Sequence, residues 1–190
     1  MDNTFNMWLS IIVISIFGTL AHFLYGWTHN NRVVGLFTAV NESTWEHIKI
    51  AITGTLLWSI YDGYIYGLNP NYFCAKLVSL FVLALFIPAV FYSYKKLLKR
   101  SVLFIDITIF YAAIILSQSL FYFIIELPPM FYIFQYLSFL GFLAFFGAYM
   151  TLTLAPLRTF LFKDPITGKY GFPVKRHLRK IIKRRKKSQN

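Results

Sequence analysis

Five stretches of this chain are long and mostly apolar: Met7–Trp27, Ser43–Tyr66, Tyr72–Tyr94, Val102–Ile125 and Met130–Ala155. A helix needs about 20 apolar residues to cross the hydrocarbon layer of a bilayer, and each stretch reaches that length. With 57% hydrophobic and 14% charged residues, against about 25% charged residues in soluble domains, the chain has too little polar surface to enclose its apolar side chains in water. The pattern predicts an all-α fold, a polytopic membrane helix bundle of about five transmembrane helices.

The connections are short and polar. Residues 28–42 form the first, with His29, Asn30, Asn31 and Arg32 at its start. Gly67–Asn71 reads as a turn, and Glu126-Leu127-Pro128-Pro129 closes the fourth span. Pro88 lies inside the third span, where a kink is tolerated if neighbouring helices re-satisfy the backbone. Within the first span Ser15, Gly18, His22 and Gly26 recur at helical spacing, which predicts the face that packs against other helices. A cleaved signal peptide is not expected, because the N-terminal residues lack a basic region and a small-residue cleavage site.

Charge divides the chain unevenly. From Leu157 onward there are twelve Lys and Arg against the single acid Asp164, whereas the first 156 residues hold seven bases and six acids. This predicts two regions, a bundle over residues 1–156 and a cytoplasmic polybasic tail over 157–190. A basic block that directly follows an apolar helix points to anionic lipid headgroups as partner, with nucleic acid the lesser alternative. In the tail, Asp164-Pro165 and Thr167-Gly168 read as a turn, and Val174, Leu178, Ile181 and Ile182 make one apolar stripe of an amphipathic helix. Lys95, Lys96, Lys99 and Arg100 form a second basic segment on the side of the tail. Basic residues flanking spans favour the cytoplasm, so the expected orientation has the N-terminus outside and the C-terminus inside. The 28–42 loop then faces the cytoplasm.

At the end of that loop stands the densest polar string of the chain, Asn41-Glu42-Ser43-Thr44-Trp45-Glu46-His47. Ser43 and Glu46 have the spacing of a capping box, which leaves Asn41, Glu42, Trp45 and His47 without a structural explanation. If the helix extends back far enough, Glu42 and Glu46 share a face. His22 lies near the same end of the first span and is expected close to Glu46 or His47. His22, Asn41, Glu42, Trp45, Glu46 and His47 are therefore the candidate ligand-binding or structural cluster. Two carboxylates and an imidazole can hold a divalent cation, but neither the Glu-x-x-His nor the His-Glu-x-x-His string occurs. Metal, cofactor and catalytic residues stay unassigned.

Asp62, Asp106 and Gln118 are secondary candidates, since polar groups inside a membrane are costly and often functional. Asp62 lies on the stripe of His47, Ala51, Gly54 and Trp58. Asp106 is within reach of Arg100 or the membrane interface, and Gln118 has the place of a helix-to-helix hydrogen bond. Cys74 stands alone, so there is no internal disulfide. No G-x-S-x-G elbow or phosphate-binding glycine loop occurs.

The block His22-Phe23-Leu24-Tyr25, the string Val40-Asn41-Glu42-Ser43-Thr44-Trp45-Glu46-His47-Ile48-Lys49, and Phe162-Lys163-Asp164-Pro165-Ile166-Thr167-Gly168-Lys169-Tyr170-Gly171 together resemble an uncharacterised family of small multi-pass membrane proteins of low-GC Gram-positive bacteria. In that pattern a proline often precedes the Val-Asn pair, where this chain has Ala39. The resemblance implies a bacterial cytoplasmic membrane location and a domain of unknown function. Two functional classes follow from the residues. One is a transporter, ligand-binding or accessory membrane protein with a cytoplasm-facing polar cluster. The alternative is a membrane-embedded, metal-assisted hydrolase or transferase acting on a lipid.

Overall fold

The computed structural model describes residues 2–172. The apolar stripe expected over 174–182 lies outside the described residues. The rest is helical: α1 Asn3–Trp27, the single turn α2 Arg32–Gly35, α3 Thr44–Tyr66, α4 Tyr72–Leu98, α5 Leu103–Glu126 and α6 Tyr132–Leu154, followed by a 3-10 turn at Phe160–Phe162. Among the described residues there is no strand, only an isolated antiparallel bridge between Lys163 and Tyr170.

Local chemistry fixes the ends. Asp2 caps α1 by accepting the Thr4 N–H at 2.9 Å, so the helix begins four residues ahead of the first apolar stretch. It stops where His29 and Asn30 take left-handed φ of 54° and 60°, a conformation that ends helices. Asn31 then caps α2 by accepting from Val33 and Val34. Helix α4 runs unbroken through Pro88 and ends at Lys99, again left-handed at φ 57°.

Helices α1, α3, α4 and α5 pack in a ring in which each antiparallel neighbour in sequence is also a neighbour in space, and α5 closes back onto α1. Helix α6 packs outside the ring on α4 and leaves most of its aromatic and aliphatic side chains exposed. Such an apolar exterior suits hydrocarbon rather than water. The face of α1 that packs is Ser10, Ile14, Gly18, Ala21 and Tyr25. Of the stripe expected from the sequence only Gly18 lies in it. A Cβ there would meet the Phe110 ring of α5 at 2.7 Å, so glycine is what lets the two helices approach. Gly26 is exposed, with nothing within 4 Å of that position, and His22 sits on the flank.

Four helices, α1, α4, α5 and α6, are long and apolar enough to cross a membrane. The chain thus forms the helical membrane bundle that its sequence implies. Helix α3 differs. It is 23 residues long but carries Glu46, Lys49 and Asp62, all buried, and its first half, Trp45 to Thr55, is enclosed almost throughout. A helix walled by other helices can carry polar groups that lipid would reject, provided they are paired.

The bundle has two chemically distinct ends. At one, the N-terminus, the 67–71 turn and the 127–131 connection are tied together. Asn3 donates to Glu126 and accepts from Tyr66, and Asn71 donates to the carbonyls of Ile124, Leu127 and Pro128. We refer to this as the turn end. The other, the basic end, gathers the 28–43 loop, the start of α5 and residues 155–172. There Asp164 organises a tight turn, accepting from Ile166 N–H and from both the N–H and hydroxyl of Thr167, with Gly168 left-handed at φ +68°. The turn expected from Asp164-Pro165 and Thr167-Gly168 is present. It folds back over the bundle, so that Phe162 stacks on Trp45 at 5.0 Å between ring centroids and Phe172 meets Tyr25 at 6.2 Å.

Candidate functional site

The polar string at the start of α3 divides into two groups that face different ways. The cause is where the helix begins. Ser43 is the N-cap and Thr44 the first helical residue, so Glu42 belongs to the loop and does not share a helical face with Glu46. The capping box expected from Ser43 and Glu46 does not form. Ser43 makes no side-chain cap, and its N–H donates instead to Asn41 Oδ1 at 2.8 Å.

Glu46 turns into the protein. Its Oε2 accepts the Val40 N–H at 2.9 Å and meets Lys49 Nζ at 2.6 Å, and Lys49 donates in turn to the Gly35 carbonyl at 2.9 Å. Both side chains are buried. A buried charge is tolerable when paired and hydrogen-bonded, and this pair uses its bonds to hold the 35–40 segment onto α3. Lys49 was not among the residues singled out by the sequence, although it stands one helical turn after Glu46 on the same face. A tyrosine joins from the other side. The Thr53 and Tyr149 hydroxyls share a 2.7 Å hydrogen bond, and Tyr149 also donates to the Leu36 carbonyl at 3.3 Å.

His22, Glu42 and His47 form the second group. His22 Nε2 lies 3.8 Å from Glu42 Oε1, and His47 Nε2 lies 4.0 Å from Glu42 Oε2. The two imidazoles are neighbours, 5.4 Å apart between centroids. So His22 stands near His47, as the antiparallel packing of α1 and α3 requires, and not near the inward-turned Glu46. All three side chains are partly open, at 28%, 45% and 38% of their full exposure. His47 Nδ1 sits 3.0 Å from the Ser43 carbonyl. A carbonyl only accepts, so Nδ1 is the donor in this bond, and in the neutral imidazole Nε2, the nitrogen facing Glu42, carries the lone pair. One donor atom from each of the three residues lies within 4.8 Å of the others, a set that can hold a metal ion.

The remaining members of the string are scaffolding. Asn41 Nδ2 donates to the Gly171 carbonyl at 3.0 Å, tying the loop to the folded-back segment. Trp45 is buried against Phe162 and Tyr149. The Ala39 N–H donates to the Ala21 carbonyl at 3.3 Å, a bond that proline in this place could not make. Alongside Glu42 a cavity of about 170 Å³ opens between the loop and the 164–171 turn, lined by Asn41, Glu42, Asp164, Thr167 and Lys169 among others.

The secondary candidates lie apart from this site. Asp62 pairs with Lys76 at 2.5 Å and accepts from Tyr122 at 3.3 Å, with neither charged side chain exposed. Lys76 also lies over the Phe121 ring, 3.9 Å from its centroid. Lys76 lies inside an apolar run with no polar neighbour in sequence to mark it. The available signal was spacing, since Asp62 and Lys76 each stand five residues from the 67–71 turn and so meet when the hairpin closes. Asp106 accepts from the Tyr94 hydroxyl and not from Arg100. Gln118 is buried beside the Ser79–Ser117 hydroxyl pair, which joins α4 to α5 at 2.6 Å, as expected of an interhelical polar contact. Its Oε1 has no partner among the described residues.

A family model described as a family of unknown function (DUF6512) matches residues 2–172. The chain belongs to this family. The match covers every described residue, including the His–Glu–His group and the segment folded over it. No curated protein and no solved structure matches the chain.

Proposed function

We infer that this is an integral membrane protein of the binding class, a transporter, ligand-binding or accessory protein, whose basic end takes a ligand from the cytoplasmic side of a bacterial membrane. The observation that carries this reading is the His22–Glu42–His47 group. It is the one place among the described residues where three His, Cys, Asp or Glu side chains bring their donor atoms within 4.8 Å of one another, and all three are partly open. The cavity beside Glu42 leaves room for a small ligand. A second reading, a metal-assisted hydrolase or transferase acting on a lipid, is favoured by one feature. Two imidazoles and a carboxylate are also the donor set of hydrolytic zinc centres.

The orientation proposed has five crossings, α3 included, with the N-terminus and the turn end outside. It is supported by the placement of Arg32, Lys95, Lys96, Lys99 and Arg100 at the basic end and by the lack of Lys and Arg in the connections at the turn end. The basic residues after Leu157 support anionic headgroups as a partner of that end. Single cysteines at Asn3, Asn30, Asn69 and Ser101, in a Cys74→Ser background, test it with a membrane-impermeant maleimide. Asn3 and Asn69 should label on intact cells, and Asn30 and Ser101 only after permeabilisation. Labelling of Asn30 from outside would move the site to the exterior and overturn the reading.

A further inference from the structure

We propose that His22, Glu42 and His47 bind one divalent transition-metal ion of the zinc type at the basic end of the bundle. This rests on reading that end as a ligand site, and it names the ligand.

Three observations carry it. Both histidines turn Nε2 toward the same carboxylate, one to each oxygen. The His47 Nδ1 proton is committed to the Ser43 carbonyl, an arrangement that orients metal-ligating imidazoles and fixes their tautomer. Among the described residues Glu42 has no Lys or Arg partner, unlike Glu46 with Lys49 and Asp62 with Lys76. It is the acid of the site whose charge is left for a cation.

The geometry fits with small movement. Donor atoms around a tetrahedral zinc sit about 3.4 Å apart, given bonds of about 2.1 Å. Here the nearest separations are 3.8 and 4.0 Å, and the whole set falls within 4.8 Å. Glu42, in the loop before α3 and the most exposed of the three, is the side chain that closes the gap. Two nitrogen donors select zinc, cobalt, nickel, copper or ferrous iron over magnesium and calcium, which prefer all-oxygen shells. Three protein donors leave at least one coordination position open, and Glu42 also lines the neighbouring cavity. That position is where an exogenous ligand meets the metal, as in non-structural metal sites.

The test uses full-length protein purified in detergent without a histidine tag and stripped with chelator. Titration with Co²⁺ is followed by visible absorption, then Zn²⁺ is added in competition. One equivalent of Co²⁺ should bind with ligand-field bands, Zn²⁺ should displace it, and Mg²⁺ and Ca²⁺ should not. His22→Ala, His47→Ala and Glu42→Gln should each weaken binding by about tenfold or more, while His29→Ala in the neighbouring loop leaves it unchanged. Gel filtration and thermal unfolding establish that each variant is folded. Absence of binding by monodisperse protein, or binding that survives the triple substitution, overturns the proposal. Loss of metal binding with the cysteine labelling intact would leave a site for a non-metal ligand. Metal binding with reversed labelling would keep the metal and refute the cytoplasmic placement.

Discussion

At the turn end, Asp62 and Lys76 meet at 2.5 Å with no exposed surface. At the basic end, His22, Glu42 and His47 stand 3.8 to 4.0 Å apart and partly open. The first set has used its hydrogen-bonding capacity internally. Asp62 takes Lys76 and Tyr122, and the ammonium rests over Phe121. The second set keeps two imidazole nitrogens and a carboxylate uncommitted. In a protein whose surface is mostly hydrocarbon, a charged residue is therefore not by itself a sign of function. What distinguishes a site is bonding capacity left over after the fold has formed.

The contrast can be broken most forcefully at Asp62. Asp62→Asn or Lys76→Met leaves one buried charge alone, and should cost about 3–5 kcal/mol. The paired replacement Asp62→Leu with Lys76→Met should recover most of the loss. Denaturant unfolding of the purified variants measures both. If the double variant were as unstable as the singles, the pair would have a role beyond mutual neutralisation.

A smaller effect is expected at Glu46, which sits in the same string as the open group but behaves like the sealed one. Glu46→Gln removes the counter-charge of Lys49 and weakens the bond to the Val40 N–H, but leaves the ammonium its bond to the Gly35 carbonyl, for a loss of roughly 1–3 kcal/mol. Limited proteolysis should then cut first within 35–40, the segment that Glu46 and Lys49 hold down. The smallest effect belongs to the open group. In metal-free protein, His22→Ala, Glu42→Gln and His47→Ala should each shift stability by no more than about 0.5 kcal/mol, as for other surface positions. A large loss from any of them would make the group structural and erase the distinction.

Much of the fold was legible in the sequence because hydrocarbon leaves few alternatives. Long apolar runs must be helices, and short connections make them antiparallel neighbours. That was enough to bring His22 to the start of α3. The grouping within the polar string was not legible, because it depends on a difference of one or two residues in where the helix starts. A start at Thr44 puts Glu42 in the loop and turns Glu46 inward. The segment over 157–172 belongs to the part expected as a tail, and in the structure it covers Trp45 through Phe162 and holds Asn41 through Gly171. Nothing periodic announces such a long-range contact. Lys76 was hidden by its surroundings, a lone cation in an apolar run whose partner stands across a turn.

The polarity of α3 also bears on how the protein enters a membrane during synthesis. Insertion scales assign about 2.5–3.5 kcal/mol to each charged residue at the centre of a helix, and in the proposed five-crossing orientation α3 would carry Glu46, Lys49 and Asp62 across. Released alone from the insertion machinery, it would be a poor passenger. Helix α4 follows after a turn of five residues and brings Lys76 directly to Asp62. The two helices are thus suited to enter as a hairpin, neutralised before either meets lipid, with Glu46 and Lys49 already paired within α3 itself.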